Sequence, residues 1–596
     1  MYDHIYIYSP QALTSANQAS YTVQATAKDF AEPAPVVKDG DVGVQTSDAS
    51  SYNFYAMYPA KFVRSGSGTG TSLSATMPVE QTVSTTETMT DEAVGTLQTA
   101  ADMNCALMIA KTENYTPKNT LRGIEESSMV FSTIAFLFQF LPIFLLAYYA
   151  TPQKYRNITL VIGSLVFYAI GSGWYTLLLL LSLLINYGLS RMISGTHARH
   201  PESAKHYLIA GLIYNFGLLV IFKYTNFLIG NLNSLLSIFH TAIPKVSLVM
   251  PLGISFFTFQ ITSYLIDVYT GKTRPARSIL DLGVYLCMFP QLISGPICMY
   301  SEIQPQLKNR RVDVRLLEEG METFVLGLSA KTLLANPMGG LWNNLSVIGY
   351  DSISTPYAWL GAFAYSFQIY FDFSGYSMMA IGVGKMLGFQ LPQNFNLPYM
   401  SGTAGEFWRR WHITLGRWFK NYIYFPLGGS RVGKWKTMRN MLAVWAFTGL
   451  WHGASWNFVL WGLIFFVLLT LEKNVYGKFL ERTHLLKHAY IIFIIPLTWM
   501  VFAIPDMHQL GTYFTRLFPF LTSDEVQSNT RDAVQAFHNY WKILVPCVLF
   551  STPLPLMYYK KFRKSGFCLL LLLILFVLSI RAMMTQTNNP FLYFQF

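Results

Sequence analysis

From residue 129 onward the chain alternates between near-continuous apolar stretches and short polar loops. Residues 175–185 read YTLLLLLSLLI and residues 567–580 read FCLLLLLILFVLSI. Neither carries a charge, and both belong to stretches approaching the roughly 20 residues that a bilayer requires. This texture predicts an all-α polytopic membrane domain over 129–596, with about eleven to thirteen spanning and re-entrant helices. The expected segments are 130–149, 158–170, 175–190, 207–222, 248–269, 280–297, 323–334, 358–373, 441–471, 490–504, 541–558 and 567–580. Segment 441–471 is too long for one span and is expected to break around residues 449–453.

Residues 1–128 follow a different pattern. They are rich in Ser, Thr, Gly and Ala, with short alternating pieces such as 52–58 (YNFYAMY) and 103–111 (MNCALMIAK). Such pieces predict short strands, and hence a small β-rich or partly disordered extension. Charge marks the same boundary, which we set near Ser128: residues 1–128 sum to −7, the remainder to +19. Lys154 and Arg156, the group Lys308, Arg310, Arg311 and Arg315, and eight cations between Arg409 and Arg439 are expected to face the cytoplasm. That orientation would put residues 1–128 outside, although no basic segment followed by an apolar one opens the chain as a secretion signal. A natural start at Met129, with 1–128 as a truncated or fused module, is the reading this favours.

Composition narrows the class further. With 52% hydrophobic and 12% charged residues, the chain has about half the charged fraction of an average soluble protein, so an ordinary water-soluble enzyme is excluded. The net charge of +12 comes without any nucleic-acid motif, so no nucleic-acid partner is expected. Cys105, Cys287, Cys298, Cys547 and Cys568 show no CxxC spacing, which argues against a disulfide framework or a zinc site. There is no GxxxxGK[ST] loop and no HExxH helix, which sets aside ATP hydrolysis and zinc proteolysis.

Candidate chemistry concentrates in two places. Residues 405–439 (GEFWRRWHITLGRWFKNYIYFPLGGSRVGKWKTMR) interleave aromatics and cations around His412. One reading is a re-entrant amphipathic segment at headgroup depth. The other adds that Arg409, Arg410, Arg417 and Lys420 hold the phosphates of a cytosolic donor, since guanidinium pairs bidentately with phosphate oxygens. The second place is His452 in 448–456 (TGLWHGASW), a lone titratable group in a stretch free of Lys, Arg, Asp and Glu from Val444 through Leu471. Ionisable groups in such surroundings are expensive and face protein or a wet cavity. His452 is then either a neutral general base able to activate a hydroxyl against a thioester, or a buried ring bonded to a helix carbonyl. Asp372 (YFDFSGY, 370–376) and Asp267 (YLIDVY, 264–269) are lone carboxylates, for which structural pairing ranks ahead of catalysis.

Several blocks in order resemble the membrane-bound O-acyltransferase family, in particular its bacterial alginate O-acetylation and D-alanyl transfer branch. They are 129–144 (MVFSTIAFLFQFLPIF), 251–270 (PLGISFFTFQITSYLIDVYT), 289–297 (FPQLISGPI), 370–389, 394–399 (NFNLPY), 407–431, 450–456 (LWHGASW) and 589–596 (NPFLYFQF). The resemblance implies a ring of tilted helices around a funnel and tunnel. It also implies His452 as the catalytic histidine and His412 as a second important one, with Asp372 and Asn394 as structural or supporting polar residues. Met378, where an acidic residue is common after FSGYS, and Cys298, where a basic residue commonly follows SGPI, depart from the pattern. Phrases at 53–60 (NFYAMYPA), 72–82 (SLSATMPVEQT) and 107–112 (LMIAKT) resemble fimbrillin-like surface proteins.

The function so implied is a multi-pass enzyme of the bacterial cytoplasmic membrane, in contact with membrane lipid. It would pass an acyl group, most simply acetyl, from acetyl-CoA or an acyl-carrier protein to an exported polysaccharide or envelope glycan, with an extracytoplasmic acyltransferase as partner. No metal and no bound cofactor are expected. D-alanyl or other acyl transfer to a cell-wall polymer is the alternative. A transporter is the rival class, although the paired repeats of broken helices that would mark one are not found.

Overall fold

Short segments of alternating small polar and branched apolar residues, such as SYTVQAT at 20–26, favour extended backbone. The structure, a computed structural model, describes six such segments near the N-terminus, together with residues 130–522, 529–585 and Leu592. The chain divides into two units, Met1–Gly123 and Ile124–Phe596. In the first, β1 (Ile5–Tyr8), β2 (Ser20–Thr26), β3 (Lys61–Ser65), β4 (Gly70–Thr76), β5 (Val94–Thr99) and β6 (Ala106–Ile109) form one sheet in the order β1-β6-β5-β2-β4-β3. Every pairing is antiparallel, with Val23 of β2 in register with Leu73 on one side and Leu97 on the other. The expected piece 103–111 contains β6, while 52–58 and Cys105 lie outside the described residues.

Among the described residues of the second unit, the regular elements are all helices. Its main elements are α1 (Leu141–Ala150), α2 (Arg156–Ser172), α3 (Tyr175–Thr196), α4 (Pro201–Leu236), α5 (Ile254–Tyr269), α6 (Ile279–Cys287), α7 (Val314–Ser329), α8 (Asn336–Ile348) and α9 (Thr355–Met386). There follow α10 (Ala404–Arg410), α11 (Ile413–Phe419), α12 (Lys434–His452), α13 (Trp456–Leu471), α14 (His484–Ala503), α15 (Met507–Leu517), α16 (Arg531–Phe550), α17 (Pro553–Phe562) and α18 (Gly566–Thr585). Among the described residues, five helical stretches are long and apolar enough to cross a membrane: 175–196, 201–239, 456–482, 484–503 and 566–585. The pair α16 and α17, bent by 73° at a short break, makes a sixth if counted as one span. The other expected segments form helices that are shorter or carry buried polar residues, as α9 carries Asp372.

Segment 280–297 departs from a simple span. It is helical only through α6 and the turn Phe289–Leu292, where Pro290, Gly295 and Pro296 prevent continuation. The irregular backbone is fully buried, and the Gln291 amide donates to the Tyr285 carbonyl. Non-helical backbone inside a membrane protein is tolerated where protein covers it.

Glycine sets the closest helix approach. Gly320 and Gly327 of α7 face Gly382 and Gly375 of α9, so that a Cβ built on Gly375 would lie 2.6 Å from the Gly327 carbonyl oxygen and one on Gly382 would lie 2.6 Å from that of Gly320. Backbones can meet like this only where side chains vanish, the usual device for packing helices without a hydrophobic drive between them. Gly375→Ala is therefore expected to destabilise by about 1–3 kcal/mol, as overpacking does. Gly188→Ala, where nothing lies within 4 Å, should leave the melting temperature unchanged or raised. Thermal aggregation of the detergent-solubilised variants, followed by size exclusion, measures the contrast.

Candidate active site

The break expected near 449–453 falls immediately after His452, the last residue of α12. Gly453 and Ser455 are extended, and α13 begins at Trp456. The two helices pack back through glycine: a Cβ on Gly449 would meet the Phe458 carbonyl at 2.4 Å, and one on Gly462 that of Trp445 at 2.5 Å. Asn457 ties the start of α13 to the end of α14 by donating to the carbonyls of Val501 (3.2 Å) and Phe502 (2.9 Å).

His452 is buried among aromatic rings. Trp461, Trp451 and Phe502 lie at centroid distances of 4.9, 5.0 and 5.4 Å, each steeply inclined to the imidazole. Nδ1 is 2.7 Å from the carbonyl oxygen of Thr448, one helical turn back. A carbonyl only accepts, so Nδ1 carries the proton and the lone pair of the neutral ring resides on Nε2. The helix-carbonyl bond expected as one alternative for this residue is present, and it fixes the tautomer in which Nε2 carries the lone pair.

His412 is held by a different device. It caps the start of α11 with φ +42°, a left-handed conformation that non-glycine residues seldom adopt. Asn394 supports it. The Asn394 side-chain oxygen accepts from Thr414 N (3.2 Å) and Thr414 Oγ1 (2.9 Å) and lies 3.1 Å from His412 Nδ1. Because the Thr414 N–H can only donate, the Asn394 oxygen must face this group, and His412 Nδ1 is then also the protonated nitrogen. Ile413 N–H donates to the Asn394 carbonyl at 2.9 Å and Ile297 N–H to Thr414 Oγ1 at 3.0 Å, which joins three distant sequence blocks around one histidine. The ring of Trp451 relates the two histidines, at 6.0 Å from His412 and 5.0 Å from His452. Phe373 packs edge-on against His412 at 4.7 Å.

The four candidate donor-binding cations are not equivalent. Arg417 makes a bidentate contact with Glu302 (2.5 and 2.9 Å) and also reaches the Ile297 carbonyl at 3.3 Å, which spends its guanidinium on the protein. Arg410 pairs with Glu406 at 2.7 Å. Arg409 and Lys420 are exposed and have no carboxylate partner among the described residues; the Lys420 ammonium lies 5.4 Å from the centre of the Phe425 ring. Asp372 is fully engaged in structure, with Oδ1 2.6 Å from the Lys331 ammonium and Oδ2 accepting from Leu592 N–H at 2.9 Å. Asp267 accepts from the Tyr422 hydroxyl at 2.7 Å, with Lys272 at 3.8 Å. Cys298 is a buried free thiol, as are Cys287, Cys547 and Cys568.

Residues 275–505, which include both histidines and Asn394, match the profile of the membrane-bound O-acyltransferase family. A probable alginate O-acetylase of Pseudomonas putida is 34% identical over 492 residues, covering 78% of this chain and all of that protein. The chain belongs to the membrane-bound O-acyltransferase family. A peptidoglycan O-acetyltransferase of Helicobacter pylori is 36% identical over 415 residues (63% of this chain, 77% of that one). A teichoic acid D-alanyltransferase of Bacillus subtilis is 29% identical over 241 residues (38% and 60%). The protein is thus a multi-pass membrane acyltransferase, and the residues gathered around Trp451 are the candidate machinery of that membrane-bound O-acyltransferase.

Sequence reasoning offered a helix carbonyl as a partner of His452 but missed the other groups around it: the rings of Trp461 and Phe502, and Lys223 and Tyr224 of α4. Lys223 left a signal, since it is a single cation in the middle of a long apolar helix, yet the expected span stopped at Phe222.

The buried Lys331–Asp372 pair also bears on this O-acyltransferase site, because Asp372 immediately precedes Phe373 on α9. Asp372→Ala strands a fully buried ammonium and is expected to cost about 3–5 kcal/mol, seen as loss of folded protein. Adding Lys331→Met should recover folded material, measured as the monodisperse fraction after solubilisation.

Proposed function

We propose that this enzyme is an O-acetyltransferase of the bacterial cytoplasmic membrane. It takes an acetyl group from a cytosolic thioester, acetyl-CoA or an acyl-carrier protein, and delivers it to an exported polysaccharide or cell-envelope glycan, with a separate extracytoplasmic acyltransferase completing the transfer. The names of the two relatives that align over most of their length, both O-acetyl-transferring, support acetyl over D-alanyl.

The observation that carries the mechanism is the hydrogen bond from His452 Nδ1 to the Thr448 carbonyl, which leaves Nε2 as the basic atom. An acceptor hydroxyl gives its proton to Nε2 as its oxygen attacks the thioester carbonyl, for alcohols are weak nucleophiles until deprotonated. A C–O bond forms, the C–S bond breaks, and the proton passes from Nε2 to the departing thiolate. The aromatic enclosure by Trp451, Trp461 and Phe502 limits access of water to the acyl group. His412 sits across Trp451, where it orients the second reactant. The exposed cations Arg409 and Lys420 are the better candidates to meet donor phosphates, because Arg410 and Arg417 already hold carboxylates.

Transfer of radiolabel from acetyl-CoA into envelope material, in membranes with matched amounts of protein, tests this reading. His452→Ala is expected to lower transfer by at least about 10²-fold, the usual contribution of a general base. Equal transfer by wild type, His452→Ala and His412→Ala would refute the assignment.

A further inference from the structure

A helix that ends leaves its last four carbonyls without intrahelical donors. At the end of α12 these belong to Gly449, Leu450, Trp451 and His452, and they lie among buried aromatic rings. An unsatisfied buried carbonyl costs about 1–3 kcal/mol, and more where no water enters. The replacement donors come from a single helix distant in sequence. Lys223 Nζ is 2.6 Å from the Trp451 carbonyl and 3.0 Å from that of His452, and the Tyr224 hydroxyl donates to the Leu450 carbonyl. The same face of α4 grips the other side of the break: Asn231 Oδ1 accepts from the Trp456 indole N–H at 2.9 Å, and the Phe227 ring lies 5.7 Å from that indole. Positions 223, 224, 227 and 231 are spaced as one helical face.

Two further features tie the ammonium to this place. It lies 5.9 Å from the centre of the Trp451 ring, and Ser255 Oγ is 3.5 Å away, while the Ser255 carbonyl accepts from the Trp451 indole at 3.4 Å. Lysine thus supplies more than one N–H donor to the last carbonyls of α12.

The geometry points to Lys223 and Tyr224 as positioning residues for His452. They cap the broken end of α12 and fix the turn from Thr448 to His452, and with it the direction of Nε2. This rests on the reading of His452 as the general base, and neither residue needs to touch substrate to act.

The test uses full-length protein in lipid nanodiscs, with Lys223→Met, Lys223→Arg and Tyr224→Phe compared with wild type in two measurements. Amide hydrogen exchange over residues 448–456 reports the cap without reference to activity; Lys223→Met should exchange about tenfold faster there, with α9 unchanged, as local opening of an uncapped terminus requires. Acetyl transfer from acetyl-CoA reports the catalytic consequence. Lys223→Met should lower kcat on the order of 10²-fold with KM little changed, the effect of a slightly misplaced catalytic group. Lys223→Arg, which keeps charge and donors, should recover a large part of kcat, and Tyr224→Phe, which loses one hydroxyl, should fall between wild type and Lys223→Met. Unchanged exchange in both Lys223→Met and Tyr224→Phe would overturn the cap. Faster exchange with unaltered kcat would overturn positioning. If Lys223→Met fails to fold, Tyr224→Phe decides by the same two readouts. Absence of transfer by wild type itself would count against the proposed donor, while the exchange contrast still upholds or overturns the cap.

Discussion

Inside a membrane-embedded core, a helix that stops must find partners for its terminal carbonyls among protein groups, because water is not there to supply them. The end of α12 lives under that constraint, and the arrangement around His452 follows from it. His452 Nδ1 donates to the Thr448 carbonyl one turn back; of the terminal carbonyls, that of Leu450 accepts from the Tyr224 hydroxyl and those of Trp451 and His452 accept from Lys223 Nζ. The break that places a histidine at a helix end therefore also demands side-chain donors nearby. It further requires the close return of α13, which Gly449 and Gly462 make possible by letting two backbones touch.

The same economy of charge governs the rest of the helical unit. Its most deeply buried ion pair, Lys331 with Asp372, is short and completed by the Leu592 N–H, so neither member is left to drive chemistry. Arg417 and Arg410 are likewise bound to Glu302 and Glu406. What looks in the sequence like a uniform basic segment is, in three dimensions, a set of cations of which some build the protein and others face outward. Counting cations along a chain overstates how many are free to meet a ligand, because the carboxylates that neutralise them come from other segments, as Glu302 does for Arg417.

How far the sequence reached depended on whether a feature is local. Apolar runs translate into helices because burial and backbone satisfaction act over neighbouring residues, so the helical class and the break after His452 were both legible. Segment 280–297 is less regular than its apolar composition suggests, because Pro290, Gly295 and Pro296 forbid a continuous helix. Lys223 left a signal as a lone cation in an apolar helix, but the tie of Lys223 and Tyr224 to α12 did not, because their partners lie 226 to 229 residues away and no spacing rule joins α4 to α12. Asn394 entered as a supporting residue only by resemblance, and the structure supplies its physical task.

That task shows why the two histidines are not interchangeable. Each has Nδ1 committed to an oxygen that accepts, and each therefore directs its lone pair through Nε2. For His452 the acceptor is its own helix, one turn back, so the tautomer is fixed as soon as α12 forms. For His412 the acceptor is a side chain 18 residues away, on a segment that must dock against Thr414 and Ile297 before the tautomer is set. The left-handed backbone at His412 is maintained by that docking and by the start of α11 together. A histidine oriented by its own helix beside one oriented by tertiary contacts allows the two to differ in rigidity. If His452 is the base, as proposed, the group that must be ready for proton transfer lies on the locally determined element, and His412 depends on the longer chain of contacts.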